Sequence, residues 1–296
     1  MAEFISDILI PALGIGAIYA LIGISFNLIY APGGTFNFAQ GQIVMLGGLL
    51  AFTFYQEMSW PVLAALAAVL AIGGAIALAE ERIAVWPALR RDPHGTGWVL
   101  STLAVFTIIQ NLAILTWGTT PENVESYPGL SVSRREVLGL EVAPFYISML
   151  VIAVAVTYGL EIFFRRAKIG RAITAVAQDR DAAALRGVNV RWVISLGFIM
   201  GGALAAATGM LAAPFTLATV TVGLTYTFRG FTAAALGGMG SNTGALAAGL
   251  MLGLIEQLTL RYWQGGYVNF VILSVLLVLL LIRPAGLFGQ AVVRRV

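Results

Sequence analysis

The sequence has no cysteine, one histidine (His94) and one lysine (Lys168), and each shortage removes a class of chemistry. Without cysteine there is no disulfide and no thiolate metal site, and the redox compartment leaves no mark. A lone histidine makes no two-histidine metal site and argues against a hydrolytic triad in a membrane. His94 lies in a basic loop beside Pro93 and Gly95 and reads as a solvated residue. A phosphate-binding loop of the G-x-x-x-x-G-K-[ST] kind needs Lys followed by Ser or Thr, whereas Lys168 is followed by Ile169, so the chain cannot hold ATP that way. No catalytic residue, cofactor or metal is therefore expected. Charge is scarce too, at 10% Asp, Glu, Lys and Arg against about 25% in soluble domains. Met1 to Asp7 carry Glu3 and Asp7 but no basic residue, so a cleavable signal peptide is not expected.

What is present is apolar surface. Hydrophobic residues make up 59% of the 296, the mean hydropathy is +0.90, and the charges fall between apolar runs of about 20 residues, the length that crosses a bilayer as helix. The expected fold is all-α, a polytopic membrane helix bundle forming one transmembrane domain over residues 1–296. Clear spans are expected at 8–30, 37–55, 61–79, 98–117, 144–164, 192–213, 244–262 and 267–282. The intervening segment 214–243 mixes threonines, glycines and Arg229. Such backbone is tolerated at membrane depth only inside protein or beside a water-filled cavity, which predicts short or broken helices there. Parity also requires this segment to return the chain to the other side. Of the 17 basic residues, 13 lie in 80–97, 165–191 and the C-terminal tail from Arg283. The net charge of +3 is then explained by topology, with these segments cytoplasmic and the N-terminus outside, and no nucleic-acid partner is expected.

The basic stretch Arg165 to Arg191 also has helical order. Asp179 and Asp181 stand where a short helix would begin, Ala182 to Leu185 are good helix formers, Arg186 falls in the last turn and Gly187 provides a stop. It reads as a short cytoplasmic helix, or as a solvated loop that only sets orientation.

Asn37, Gln40 and Gln42 beside Phe36 and Phe38 follow the breaker Ala31-Pro32-Gly33-Gly34, and a second glycine cluster runs from Phe231 to Ser241. Interrupted segments in two halves point to a transport site and a possible two-half internal repeat. Structural hydrogen bonding of broken helices is the competing reading. Glu256 lies inside an apolar run with Arg261 five residues on, so it is a functional candidate or a carboxylate that reaches water or Arg261. Arg229 has no evident partner and is expected to face a cavity or an interface. Gly197 and Gly201, Gly240 and Gly244, and Gly249 and Gly253 have the spacing of close helix contacts, which bespeak a bundle and nothing about substrate.

Five blocks in order, namely Gly23 to Gly48 with NFAQG at Asn37 to Gly41, ERIAVWPALR at Glu81 to Arg90, Gly170 to Val188, Phe231 to Ala245, and RPAGLFG at Arg283 to Gly289, resemble LivH-type branched-chain amino acid ABC transporter permeases. The resemblance covers nearly the whole chain. It implies a permease subunit of the bacterial cytoplasmic membrane, surrounded by lipid and paired with a paralogous second permease as a heterodimer. Two cytoplasmic ATPase subunits and a periplasmic substrate-binding protein would complete the importer, and the substrate would be an amino acid, branched-chain in the first place. Related permeases import urea, short amides or aromatic amino acids, which stand as alternatives. By position the resemblance assigns the substrate pathway to Asn37, Phe38, Gln40, Gly41, Thr232, Gly237, Gly238, Gly240 and Ser241. It assigns ATPase coupling to Gly170, Arg171, Asp179, Ala183, Arg186 and Gly187. Gln40 departs from the family, which commonly has histidine there; polarity is kept, but a proton-linked role is not. The rival from another class is an ion-coupled secondary transporter or channel, drawing on Glu256, Arg229 and the interrupted helices.

Overall fold

Helix α1 (Ile5–Gly33) is the axis of the protein. In the computed structural model, which describes residues 4–92, 95–137, 140–263, 265–283 and 285–288, 83% of its most apolar window is buried, against 17% for each of three peripheral helices. Around it stand α2 (Gln40–Ala51), prolonged by a wider turn over Phe52–Glu57, α3 (Val62–Arg91), α4 (Gly97–Trp117) and α5 (Pro144–Arg166). Two short helices follow, α6 (Lys168–Gln178) and α7 (Arg180–Leu185). The chain ends with α8 (Val190–Thr216), α9 (Val222–Gly237), α10 (Asn242–Tyr262) and α11 (Val268–Ile282). Among the described residues, seven helices are long and apolar enough to cross a membrane. His94, Gly289, Arg294 and Arg295 lie outside the described residues.

Glycine sets how closely these helices approach. A β-carbon at Gly47 would overlap the Ala206 carbonyl, and one at Gly209 the Val44 carbonyl, so α2 and α8 cross backbone to backbone. Of the glycine pairs expected from spacing, all but Gly240, which has nothing within 4 Å of its β-carbon position, lie at such contacts. Gly197 and Gly201 face Leu28, Pro32 and Ser25 of α1, Gly249 and Gly253 face Ala20 and Gly16 of α1, and Gly244 meets Gly237. Where apolar attraction between helices is absent, as in lipid, close van der Waals packing of this kind holds a bundle together.

Two expectations need correction. The expected span 37–55 is a helix that starts at Gln40, with all twelve residues to Ala51 buried; it is not among the seven long apolar helices because polar residues crowd both its ends. Glu80 and Glu81 do not begin a polar loop: α3 continues to Arg91, and both side chains are buried. The breaker Ala31 to Gly34 does end α1 as expected: the helix carries Pro32 in its last turn, runs to Gly33 and ends on Gly34 in the left-handed conformation (φ 59°). Segment 214–243 is interrupted as expected. The chain leaves α8 at Leu217 (φ 63°) and returns as the 16-residue α9, packed among α1, α2, α10 and α11.

The loop after α4 holds a small hairpin, β1 (Arg135–Val137) with β2 (Leu140–Val142), antiparallel and pairing Arg135 with Val142. Composition gave no sign of it. Reciprocal backbone bonds between Glu122 and Ala218 (2.8 and 2.9 Å) fasten this loop over the α8–α9 junction. The buried Tyr127 hydroxyl donates to the Met210 carbonyl (2.9 Å), and burial pushes its pKa up. An Arg134–Asp7 ion pair (3.2 Å) brings the start of α1 to the same end of the bundle. At the opposite end Arg191 sits 4.5 Å over the Trp86 ring, and Arg171, Gln178 and Phe288 share a cavity. The ends of α3 and α11 and the helices α6 and α7 thus gather at one pole, as the basic clusters implied.

Candidate functional site

The two polar and glycine segments singled out in the sequence converge on α1. Asn37 turns the chain by accepting from the Ala39 amide (2.8 Å) and donates to Glu80 Oε2 (2.6 Å) and Gln40 Oε1 (3.3 Å). Gln40 donates to Ser25 Oγ (3.0 Å) and the Gly201 carbonyl (2.9 Å). Asn37, Gln40 and Ser25 have no solvent exposure, and together they tie α1, α2, α3 and α8 at one point. An amide supplies two donors and an acceptor at once, which a neutral imidazole cannot; this is a physical reason for glutamine at position 40. Glu80 Oε1 has no partner among the described residues.

Helix α9 closes the other side. Gly41 abuts Gly223 and Thr227 with no room for a β-carbon, and the Thr227 hydroxyl reaches the Phe38 carbonyl (3.3 Å). Phe231 is the hub of an aromatic cluster with Phe26, Phe36 and Phe38, at centroid distances of 5.2 to 6.5 Å. Thr232 and Gly237 are buried in the same wall. Beyond it, Gly238 and Gly240 take positive φ (95° and 86°), and Ser241 caps α10 by accepting from the Gly244 amide (3.1 Å). Asn27 holds this turn from α1, donating to the Ser241 carbonyl and accepting from the Gly240 amide, both at 3.0 Å. Leu287 and Phe288, near the C-terminal end of the described residues, land here as well. Leu287 N donates to Leu236 O (2.7 Å) and Phe288 N to Gly237 O (3.2 Å).

The basic stretch forms the two short helices described above. Gly170, Ile173 and Val176 are buried, and Gly170 lies against the Phe163 carbonyl at the foot of α5. Asp179 caps α7 by accepting from the Ala182 amide (2.9 Å). Ala183 is buried, whereas Arg171, Arg186 and Leu185 are exposed, Leu185 at 91%. Gly187 ends α7 with φ 83°, and its amide donates to Ala184 O (2.9 Å). Arg180 reaches back to the Pro32 carbonyl (3.1 Å). The short helices thus touch the end of α1 one turn before Asn37. A cavity of about 920 Å³ lies between α6 and the glycine turn, with Arg171, Gln178, Gly240 and Ser241 among its lining residues.

Glu256 pairs with Arg229 and not with Arg261, and Arg229 lines a cavity, as expected. Arg229 Nη1 lies 3.0 Å from Glu256 Oε1, Tyr19 donates to Glu256 Oε2 (2.5 Å), and Arg229 also bonds the Tyr19 hydroxyl and lies over its ring. Arg261, the sequence neighbour, is exposed. Sequence reasoning missed Tyr19, Asn27, Glu80 and Arg180. An amide within the first span was a usable signal for Asn27; Tyr19, an aromatic in an apolar run, offered none.

The profile of the family described as "Branched-chain amino acid transport system / permease component" matches residues 8–281. The chain is 32% identical to the high-affinity branched-chain amino acid transport system permease protein BraD of Pseudomonas aeruginosa, over 97% of each chain. It is 31% identical to the permease protein LivH of Salmonella typhimurium, over 95% of this chain and 94% of the relative. A probable branched-chain amino acid transport permease of Methanocaldococcus jannaschii is 24% identical over 91% and 88%. No solved structure matches the chain significantly.

Proposed function

The chain belongs to the branched-chain amino acid transport system permease family, and from that premise we propose that it is the membrane-spanning subunit of an ATP-driven, binding-protein-dependent importer of amino acids, branched-chain ones first. Its partners on this reading are a second, paralogous permease, two ATPase subunits and a substrate-binding protein. The basic pole faces the cytoplasm, as the positive-inside bias favours. The N-terminus and the loop carrying β1 and β2 face the binding protein. The observation that carries the reading is α7, a capped helix displayed at the basic pole with Leu185 exposed, yet bonded through Arg180 to the end of α1. A motor docked there would push directly on the turn that leads into Asn37.

On this reading Asn37, Phe38, Gln40, Gly41, Thr232, Gly237, Gly238, Gly240 and Ser241 form the hinge wall of the pathway. Most are closed inside protein, so their role is to move apart rather than to stand open. The test is uptake in proteoliposomes. The chain with its partners should concentrate leucine in the presence of ATP and binding protein, and the chain alone should not. Gradient-driven flux by the lone chain would favour a secondary transporter or channel, and uptake of urea, short amides or aromatic amino acids in preference to leucine would reassign the substrate.

Coupling is separable from folding. Asp179→Lys removes the α7 cap, worth about 1 kcal/mol, and Gly187→Val forces a β-branched residue into a left-handed conformation at about 1–2 kcal/mol. Neither residue is buried. Both variants should assemble in the membrane and hydrolyse ATP while leucine uptake falls roughly tenfold, the change expected when about 1.4 kcal/mol of coupling is lost. Wild-type uptake in both variants would remove α7 from the coupling path.

A further inference from the structure

A cavity of about 350 Å³ opens beside the Tyr19, Arg229 and Glu256 cluster, between α1, the end of α8, α9 and α10. Its size falls in the range of small-molecule sites, about 300–1,000 Å³. Its wall is of two kinds. Thr216, Thr221 and Thr225 present hydroxyls, and Ile15, Val222 and Phe215 are among its apolar lining. The charged corner is incompletely used: Arg229 Nη1 serves both Glu256 and Tyr19, while Arg229 Nε has no hydrogen-bond partner among the described residues.

We propose that this cavity is a subsite for the zwitterionic head of a free amino acid, with Arg229 receiving the carboxylate and Glu256 the ammonium. Opposite charges on one tetrahedral carbon match an Arg–Glu pair set 3.0 Å apart, because the ligand can lie alongside the pair with its dipole reversed. Such a site rejects ligands with a single charge. A lone cation would draw Glu256 away and strand Arg229, and a lone anion the converse; an unpaired charge at a largely buried position is costly. Tyr19 fixes the carboxylate by donating to Oε2, so the pair is held ready without ligand. The apolar wall accepts an aliphatic side chain. The inference rests on the importer reading for the direction of transport, but not for the chemistry of the site.

The chain contains no cysteine, so a single introduced thiol reports on the cavity. Thr225→Cys, with Thr221→Cys as a second probe should the first fail to assemble, is placed in the importer with its partners and labelled with N-ethylmaleimide. Leucine at ten times its dissociation constant should slow labelling about tenfold by occupancy. The singly charged analogues 3-methylbutylamine and 4-methylpentanoate should not, and Arg229→Gln should abolish the leucine effect. Equal protection by either analogue, protection that survives Arg229→Gln, or no protection by leucine in vesicles that transport it would overturn the subsite. Leucine uptake by the same vesicles is read separately: its absence counts against the importer reading, whereas intact uptake without protection removes the subsite alone.

Discussion

Replacing Asn37 with leucine is expected to destabilise the protein by about 3 kcal/mol, since a buried hydrogen bond to a carboxyl is lost and the carboxyl is left without a partner. The Asn37 amide is the hydrogen-bond partner of Glu80 Oε2 (2.6 Å), and Oε1 already has none among the described residues. Glu80 is 4% exposed, too little for water to take over. The loss should therefore exceed that for Gln42→Leu, whose amide meets Gln110 at a longer 3.3 Å and leaves no carboxyl behind. The double variant Asn37→Leu with Glu80→Leu should recover much of the stability, because the stranded group goes with its partner. Thermal unfolding of the purified chain in detergent reads both outcomes. An unchanged transition for Asn37→Leu, or no recovery in the double variant, would show that the polar knot contributes little.

Gly209→Leu should be at least as damaging and for a different reason. A β-carbon there overlaps the Val44 carbonyl and comes within 3.1 Å of the Gly48 amide. These are backbone atoms of a helix buried along its whole length, so no side chain can swing aside. Overpacking commonly costs about 1–3 kcal/mol where side chains can adjust, and here α2 and α8 must separate. Loss of the folded monodisperse peak in size-exclusion chromatography is the expected result. Gly159→Leu is the control, with nothing within 4 Å of its β-carbon on an exposed face of α5, and should stay within about 1 kcal/mol of the parent. Similar behaviour of the two variants would mean that the α2–α8 contact does not hold the bundle.

The contrast between these two glycines shows how far the sequence could be read. Both are single glycines in apolar runs, and nothing local separates Gly209 from Gly159. Only the neighbouring helix does. The glycine pairs Gly197/Gly201 and Gly249/Gly253 were legible as contact points because their four-residue spacing puts them on one face, though not which helix they would meet. Asp179 and Gly187 were legible as helix start and stop because capping is settled within three or four residues of chain. Glu80 was misplaced in a loop because a charged residue after an apolar run ordinarily marks the water boundary, and here a neighbouring turn supplies the partner that water would have been.

By itself the sequence determined the class of the protein: a helical membrane bundle, its long helices to within a few residues except the end of α3, the broken stretch before α10, and the gathering of basic residues at one pole. Those properties follow from hydropathy, local propensity and charge, which are summed along the chain. The tertiary structure alone decided the polar pairings, Asn37 with Glu80 across 43 residues and Tyr19 with Glu256 across 237, and the placement of Arg180 on the end of α1. The reason is that a polar group within the bundle must be satisfied, a demand written in its own residue type, while the partner that satisfies it is chosen by helix packing, which no single segment encodes.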